Sequence, residues 1–184
     1  ALTTEEVQRL LAGCEARPTP LRLLAMVHLA LDLGLRVGEI ARLRVDDFDW
    51  RAGTATLKGT KSKRQDVLPL PAATGQALAA YVMHERPATT QPSLFVRRLA
   101  PHDRPIGVDA VRCAIADALQ HAGIARACHS LRHTLACRLV NNGSSIKEVA
   151  DVLRHRSMNT SLIYAKLDMH ALAEVAMPWP GSVS

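Results

Sequence analysis

The sequence predicts a mainly α-helical protein with a small antiparallel β-sheet, an α+β fold. Of its 184 residues, 48% are hydrophobic but only 3% are aromatic. The core therefore has to be built from leucine, alanine and valine, a mixture that favours helices. One stretch, Thr54 to Leu70, has β-like composition instead. The length suits one well-buried domain, and nothing in the sequence requires two.

Local signals place the helices. Thr3 and Glu6 have the spacing of a capping box, so a helix is predicted at the start of the chain. A longer amphipathic helix is predicted from Pro20 to Leu33, with Gly34 as its C-terminal cap and Arg36 in the tight junction that follows. Further helices are predicted at Val37 to Leu43, Ala73 to Glu85, Val108 to Ala122, Leu131 to Asn141, Ile146 to Leu153 and Thr160 to Leu167.

The charge balance and the cysteines limit the class of protein. Lys and Arg number 23 against 17 Asp and Glu, a net charge of +6. An excess of this kind suits a polyanionic partner, although an ordinary basic surface can have the same composition. The cysteines form no Cys-x-x-Cys pair, and the acidic start of the chain is unlike a signal peptide. A cytoplasmic protein without a membrane span is predicted. The cysteines are Cys14, Cys113, Cys128 and Cys137.

Two segments between the helices are predicted to lie at the surface. Thr54 to Leu70 predicts a β-hairpin, and the polar run Gly-Thr-Lys-Ser-Lys-Arg places Lys61 near its tip. Between Arg86 and Gly107, four prolines and little periodicity predict one long loop, either mobile or facing DNA.

Several residue types that could hold and cut a phosphodiester occur in order along the chain. A phosphodiester under attack carries negative charge on its non-bridging oxygens, which suits the rigid fork of an arginine. A tyrosine hydroxyl can serve as the attacking oxygen, and such a set needs no metal. The combination indicates a covalent DNA-joining enzyme. The residues are Arg36, Lys61, His129, Arg132, His155 and Tyr164.

The order and spacing of these residues resemble the tyrosine recombinase (phage integrase) family, from about Leu2 to Glu174. The family pattern is an Arg in a Gly-Leu-Arg-x-x-Glu turn, a hairpin lysine, a His-x-x-Arg, a His or Trp, and a tyrosine. The resemblance implies the family's catalytic DNA breaking-rejoining fold over residues 1–177, with a tail at 178–184. The chain begins where that domain begins, so the family's N-terminal core-binding domain is expected to be absent. The first turn is matched by Gly34, Leu35, Arg36 and Glu39.

The resemblance also implies a role for each site residue. Tyr164 would attack the scissile phosphate, leaving a 3′-phosphotyrosine and a free 5′ hydroxyl. Lys61 would act as general acid and protonate the departing 5′ oxygen. Arg36 and Arg132 would clamp the phosphate, and Glu39 would orient the arginines.

Both histidines and the residue before the second one belong to the same implied site. His129 would assist proton transfer, and His155 would donate a hydrogen bond to the phosphate and pack against the tyrosine. Arg154 stands where the family commonly has glycine, so it either crowds the turn or adds a phosphate contact. The basic residues predicted to contact DNA are Lys58, Lys63, Arg64 and Arg154.

Structural alternatives remain open for several of these residues. Arg36 and Arg132 could each instead form a structural ion pair, Arg36 with Glu39 for example. A zinc site has to be considered because His129, His133 and Cys137 are spaced four apart, but position 130 holds no glutamate and His129 is expected just outside the helix. His133 is expected to pack behind His129, and Tyr81 to lie in the core.

The function implied by the resemblance is site-specific recombination of double-stranded DNA by a homotetramer, with no cofactor and no membrane. One alternative is a type IB topoisomerase, which shares the chemistry. Another is a helix-turn-helix regulator without catalysis, because Ser145 and Glu148 cap a short helix that a second one follows. An apolar stripe near the C-terminus is expected to dock either on a neighbouring subunit or on its own domain. It consists of Leu167, Ala171, Leu172 and Val175.

Overall fold

The computed structural model describes residues 1–58, 65–101 and 103–154. Within these ranges the chain forms seven α-helices and three strands. The helices are α1 (Thr4–Glu15), α2 (Pro20–Asp32), α3 (Val37–Arg42), α4 (Ala72–His84), α5 (Val108–His121), α6 (His129–Asn141) and α7 (Ile146–Val152). The strands are β1 (Phe48–Asp49), β2 (Thr54–Lys58) and β3 (Gln65–Pro69). Several predictions concern residues outside the described ranges. They are those for Lys61, Lys63, Arg64, His155, Tyr164, the helix from Thr160 to Leu167 and the C-terminal stripe.

The starts of α1 and α7 are set by the capping boxes that the sequence predicted. The Thr3 hydroxyl accepts the backbone N–H of Glu6 at 3.2 Å, and the Glu6 carboxylate accepts the backbone N–H of Thr3 at 2.8 Å. Ser145 and Glu148 make the same reciprocal pair at 3.2 and 2.7 Å. Each box satisfies two backbone donors that a helix start otherwise leaves unpaired, so both predictions are confirmed.

Helix α2 crosses the core and is held at both ends by α4. Thr19 makes no side-chain cap at its start. The carboxylate of Glu85, which follows α4, instead accepts the backbone N–H groups of Leu21 and Arg22 at 2.8 and 3.1 Å. At the other end, Thr74 in the first turn of α4 donates its hydroxyl to Asp32 at 2.8 Å. The two helices are therefore antiparallel, and polar bonds fix their register.

The three strands form one antiparallel sheet in the order β1-β2-β3, which confirms the predicted hairpin. Ala55 and Leu57 on β2 are buried against the core, while the alternate residues of the strand are more exposed, as expected where only one face of a strand is buried. Lys58 pairs with Gln65 in the last register position before residues 59–64.

The predicted long loop between Arg86 and Gly107 has no helix, but it is not loosely held. Leu94 and Phe95 are fully buried, and Phe95 stacks on Tyr81 with ring centroids 5.2 Å apart. The Arg86 side chain donates to three backbone carbonyls of this segment. The expectation of a mobile or DNA-facing loop is wrong for this part of the segment, because aromatic burial fixes it. Tyr81 is 1% exposed, as predicted for a core residue.

Helix α6 begins two residues earlier than predicted. The backbone N–H groups of Ser130 and Leu131 bond to the carbonyls of Ala127 and Cys128 at 2.9 and 3.3 Å, which tightens the first turn. His129 is therefore the first residue of the helix and not a residue outside it.

The described helices pack around one main apolar core made largely of leucine, valine and alanine, as the composition predicted. Among the described residues, no helix combines the length and the apolar character needed to cross a bilayer.

Candidate active site

Three segments that are far apart in sequence meet at the turn between α2 and α3. The guanidinium of Arg132, on α6, donates to the backbone carbonyls of Gly34 in this turn and of Leu153 after α7. Arg132 as a whole residue is only 8% exposed. A buried charge is costly unless it is hydrogen-bonded, and the two carbonyls supply acceptors. Arg132 thus ties the start of α6 to the turn before α3 and to the end of α7.

Gly34 is required in this turn for two reasons. Its φ of +59° lies in the left-handed region that side chains disfavour. A Cβ at this position would lie 2.7 Å from Cδ2 of Leu153 and 3.0 Å from Cδ2 of Leu135. The close approach lets the end of α7 and the side of α6 pack against the turn that carries Arg36.

We expect Gly34→Ala to lower the free energy of unfolding by about 2–5 kcal/mol, because backbone strain and overpacking add. Gly53→Ala is the matched control, since Gly53 has a φ of +63° but no atom within 4 Å of the added Cβ. It should cost only the strain, about 1–2 kcal/mol. Urea unfolding followed by circular dichroism measures both. An equal loss of unfolding free energy in the two variants would mean that Leu153 moves away from the added Cβ without destabilising the protein.

Arg36 lies at the N-terminal cap of α3, held by Glu39 in the next turn. One carboxylate oxygen of Glu39 accepts the backbone N–H of Arg36 at 2.7 Å, and the other accepts Nη1 of its guanidinium at 3.1 Å. The Arg36 side chain is 49% exposed. The ion pair named as its structural alternative therefore exists, and it leaves the guanidinium at the surface, within reach of a ligand.

Arg154 turns inward to the same carboxylate. Its φ is +53°, so the turn accommodates an arginine where glycine is easier. Its Nη2 lies 3.1 Å from Oε2 of Glu39, and its side chain is 11% exposed. The sequence left open whether Arg154 crowds the turn or contacts a phosphate. In the structure Arg154 occupies a turn with positive φ, and its side chain contacts the Glu39 carboxylate. Its predicted DNA contact stays a prediction.

Glu39 is held ionised by this arrangement. Burial alone would raise the pKa of the Glu39 carboxyl. The hydrogen bond from the backbone of Arg36 and the positive charges of Arg154, Arg36 and Arg132 outweigh burial, so its pKa lies below the usual value. The carboxylate therefore accepts hydrogen bonds at neutral pH, and it bridges Arg36 and Arg154, which are far apart in sequence.

The histidines of α6 occupy its first two turns. His129 is exposed and lies one turn before Arg132, which places the two side chains on neighbouring positions of the helix surface. His133 is half-buried, with Nε2 3.7 Å from Sγ of Cys137. Burial lowers the pKa of His133. Within the described ranges, no three potential metal ligands lie together.

Comparison with known proteins places this geometry in a family. The sequence profile described as the phage integrase family matches residues 1–171. The chain belongs to the phage integrase family. It is 37% identical over 186 residues to the putative integrase/recombinase y4rA of Sinorhizobium fredii, covering 98% of this chain and 45% of that protein. It is 32% identical over 197 residues to the tyrosine recombinase XerD of Mycobacterium leprae, covering 99% and 60% of the two chains.

The fold agrees with the family assignment. The crystal structure of XerA recombinase superimposes with a TM-score of 0.81 at 26% identity, covering 95% of this chain and 62% of that one. The chain therefore spans about half to three fifths of these proteins. The predicted fold class, mainly helical with a small antiparallel sheet, is confirmed.

The structure brings together part of the site expected for a family member. Arg36, Glu39 and Arg132 meet around the turn at Gly34, and His129 is one helical turn from Arg132. Lys58 pairs with a different carboxylate, and its Nζ is 2.8 Å from Oδ1 of the buried Asp47. This pairing anchors the base of the hairpin, and a DNA contact by Lys58 stays a prediction.

Two features of the site escaped the sequence analysis. One is the use of backbone carbonyls by Arg132, and the other is the ion pair between Glu39 and Arg154. The paired residues are separated by 98 and 21 positions in the first case and by 115 in the second. The sequence did show that Arg154 is unusual before His155, but it did not show that Glu39 is the partner of Arg154.

Proposed function

We propose that this chain is the catalytic domain of a site-specific DNA recombinase, which cleaves and rejoins DNA strands through a 3′-phosphotyrosine intermediate. The main support is the cluster at Gly34, where the exposed guanidinium of Arg36 and the buried one of Arg132 converge with Glu39 between them. Two cationic forks beside one turn suit the charge of a phosphodiester. The relatives named as recombinases and integrases support the same activity.

The proposed reaction begins with attack by the hydroxyl oxygen of Tyr164 on the scissile phosphorus. A bond forms between phosphorus and the phenolic oxygen, and the bond to the 5′ oxygen of the next nucleotide breaks. Lys61 gives a proton to that departing oxygen, and His129 assists removal of the tyrosine proton. Arg36 and Arg132 stabilise the charge that accumulates on the phosphate oxygens.

The second half of the reaction reverses the first on another strand. A free 5′ hydroxyl attacks the phosphotyrosine, restores a phosphodiester and releases Tyr164. One ester replaces another in each step, so no external energy source is needed. The partner is double-stranded DNA, and strand exchange between two sites requires several protomers, for which a homotetramer is the proposed assembly. The net charge of +6 favours the same partner.

Covalent trapping on nicked duplexes tests this function. A pool of duplexes with randomised sequence around the nick is incubated with the chain, and protein-linked DNA is recovered from a denaturing gel and sequenced. The nick lets the short cleaved fragment diffuse away, so the adduct accumulates. Adducts joined at a 3′ phosphate of a recurrent sequence are expected. Binding without any adduct would favour the regulator, and plasmid relaxation without joining of two sites would favour a topoisomerase.

We expect adduct formation to persist in EDTA, with a rate within about twofold of the untreated reaction. The proposed positive charge on the phosphate comes from Arg36, Arg132 and Lys61, and removal of one such donor would cost about 10²- to 10³-fold. The initial rate of trapping is measured with and without the chelator, and added magnesium serves as the control. Loss of adducts in EDTA that magnesium or zinc restores would contradict this prediction.

A further inference from the structure

Arg154 combines a strained backbone with an inward side chain. It is the only non-glycine residue at positive φ that the described ranges contain, with φ at +53°. An L-residue in this region costs free energy and persists only where its surroundings hold it. Glycine would adopt the same turn without that cost. Favourable contacts of the arginine side chain would offset this cost.

Its contacts identify what the side chain does. Nη1 donates to the carbonyl of Val152 at 3.2 Å, and Nη2 donates to Oε2 of Glu39 at 3.1 Å. Both terminal nitrogens are thus engaged by the protein, and the side chain is 11% exposed. A direct contact to a DNA phosphate would have to break one of these bonds. Arg132 also has both terminal nitrogens engaged, so engagement alone does not exclude a phosphate contact. What favours a role inside the protein is the partner, because the carboxylate that Arg154 holds also holds Arg36.

Glu39 contacts both Arg154 and Arg36 and so links the two side chains. Its Oε2 accepts both Nη2 of Arg154 and the backbone N–H of Arg36, while Oε1 accepts Nη1 of Arg36. Without Arg154, the carboxylate would be held only by Arg36, once by its backbone N–H and once by the side chain that is to be positioned. Arg154 adds an anchor from a second direction, which leaves the carboxylate fewer favourable orientations. Because the Arg36 side chain is half exposed, this anchor restrains a guanidinium that solvent would otherwise leave free to move.

We propose that Arg154 is a positioning residue, which fixes the carboxylate of Glu39 and through it aims the guanidinium of Arg36 at the scissile phosphate. This inference rests on the proposed function. It assigns to the arginine before His155 a task that a glycine at the same turn could not perform. It also couples the end of α7, which leads directly to His155, with the phosphate clamp at α3.

The test separates the side chain from the turn. Arg154→Gly removes the side chain and eases the backbone, so it should fold with unchanged or higher melting temperature. We expect its rate of adduct formation, on the duplex selected by trapping, to fall roughly 10- to 100-fold. Its affinity for the same duplex should stay within about twofold of Arg9→Gln, which removes one charge from the exposed face of α1.

Two further variants show whether the effect passes through Glu39. Arg154→Lys keeps a cation within reach of the carboxylate and should recover much of the lost rate. In a Glu39→Gln background, Arg154→Gly should cause little additional loss, because the partner it acts through is already altered. Arg154→Asn tolerates the same turn and repeats the measurement if the glycine variant is poorly folded.

Each contrary outcome has a distinct meaning. A wild-type rate for Arg154→Gly, or independent losses from Arg154 and Glu39, would overturn the positioning role and leave the proposed function intact. Weaker binding with a shallower salt dependence, but an unchanged rate for bound DNA, would make Arg154 a phosphate contact and also refute the proposal. Absence of adducts with the unmodified chain on every duplex would remove both proposals together.

Discussion

Tyr164→Phe should abolish covalent protein–DNA adducts and leave DNA binding unchanged. The substitution removes one oxygen atom, and in the proposed reaction that atom forms the bond to phosphorus. Phenylalanine keeps the ring, so packing and affinity should change little. A free tyrosine has a pKa of about 10 and is mostly protonated at neutral pH, so the proposed reaction requires cations that favour its ionised form. Trapping on nicked duplexes measures the adduct, and a gel shift measures binding.

The chain supplies a matched control for this experiment. Tyr81 is the other of its two tyrosines, is 1% exposed and stacks on Phe95 in the core. Tyr81→Phe removes the same atom from a residue that DNA cannot reach, so adduct formation should continue. Adducts with Tyr164→Phe would show that another group is the nucleophile. Loss of adducts in both variants, with intact folding, would mean that the assay reports something other than attack by one hydroxyl.

The predictions that the structure confirms are mostly local. A capping box spans four residues, and a glycine at a helix end acts through its own φ, so neither needs the rest of the fold. The boxes at Thr3 and Ser145 and the turn at Gly34 all lie where the sequence predicted them. The strand pairing was also predictable, because the two strands are adjacent in sequence and only residues 59–64 separate them.

The features that sequence reasoning missed depend on distant partners. The segment after Arg86 contains prolines and no hydrophobic period, which locally indicates a loop, yet Phe95 is fully buried and stacks on the ring of Tyr81 in α4. In the same way, Arg154 lies 115 residues from Glu39, and nothing near it in sequence names a carboxylate. The proposed site residues come from family spacing, but the hydrogen-bond partners of Arg132 and Arg154 follow only from tertiary packing.

Arg132 has both a structural role and a proposed chemical one, and Arg132→Lys should affect both. A lysine ammonium is a single point on a flexible stem and cannot reproduce the fork that reaches Gly34 and Leu153 together. A buried carbonyl that loses its donor costs about 1–3 kcal/mol in the free energy of unfolding. We expect a loss of that size by urea unfolding, and a fall of about 10²- to 10³-fold in the rate of adduct formation.

Comparison with two other variants separates the roles. Arg138→Lys makes the same exchange at an exposed position of α6 and should change neither quantity. Gly34→Ala perturbs the same turn but keeps the guanidinium, so it shows how much of the rate depends on turn geometry alone. If Arg132→Lys loses stability but cleaves at the normal rate, Arg132 acts only as a structural tie. The charge on the phosphate would then have to be met by Arg36 and Lys61, and the coupling of Arg154 to Arg36 would matter correspondingly more.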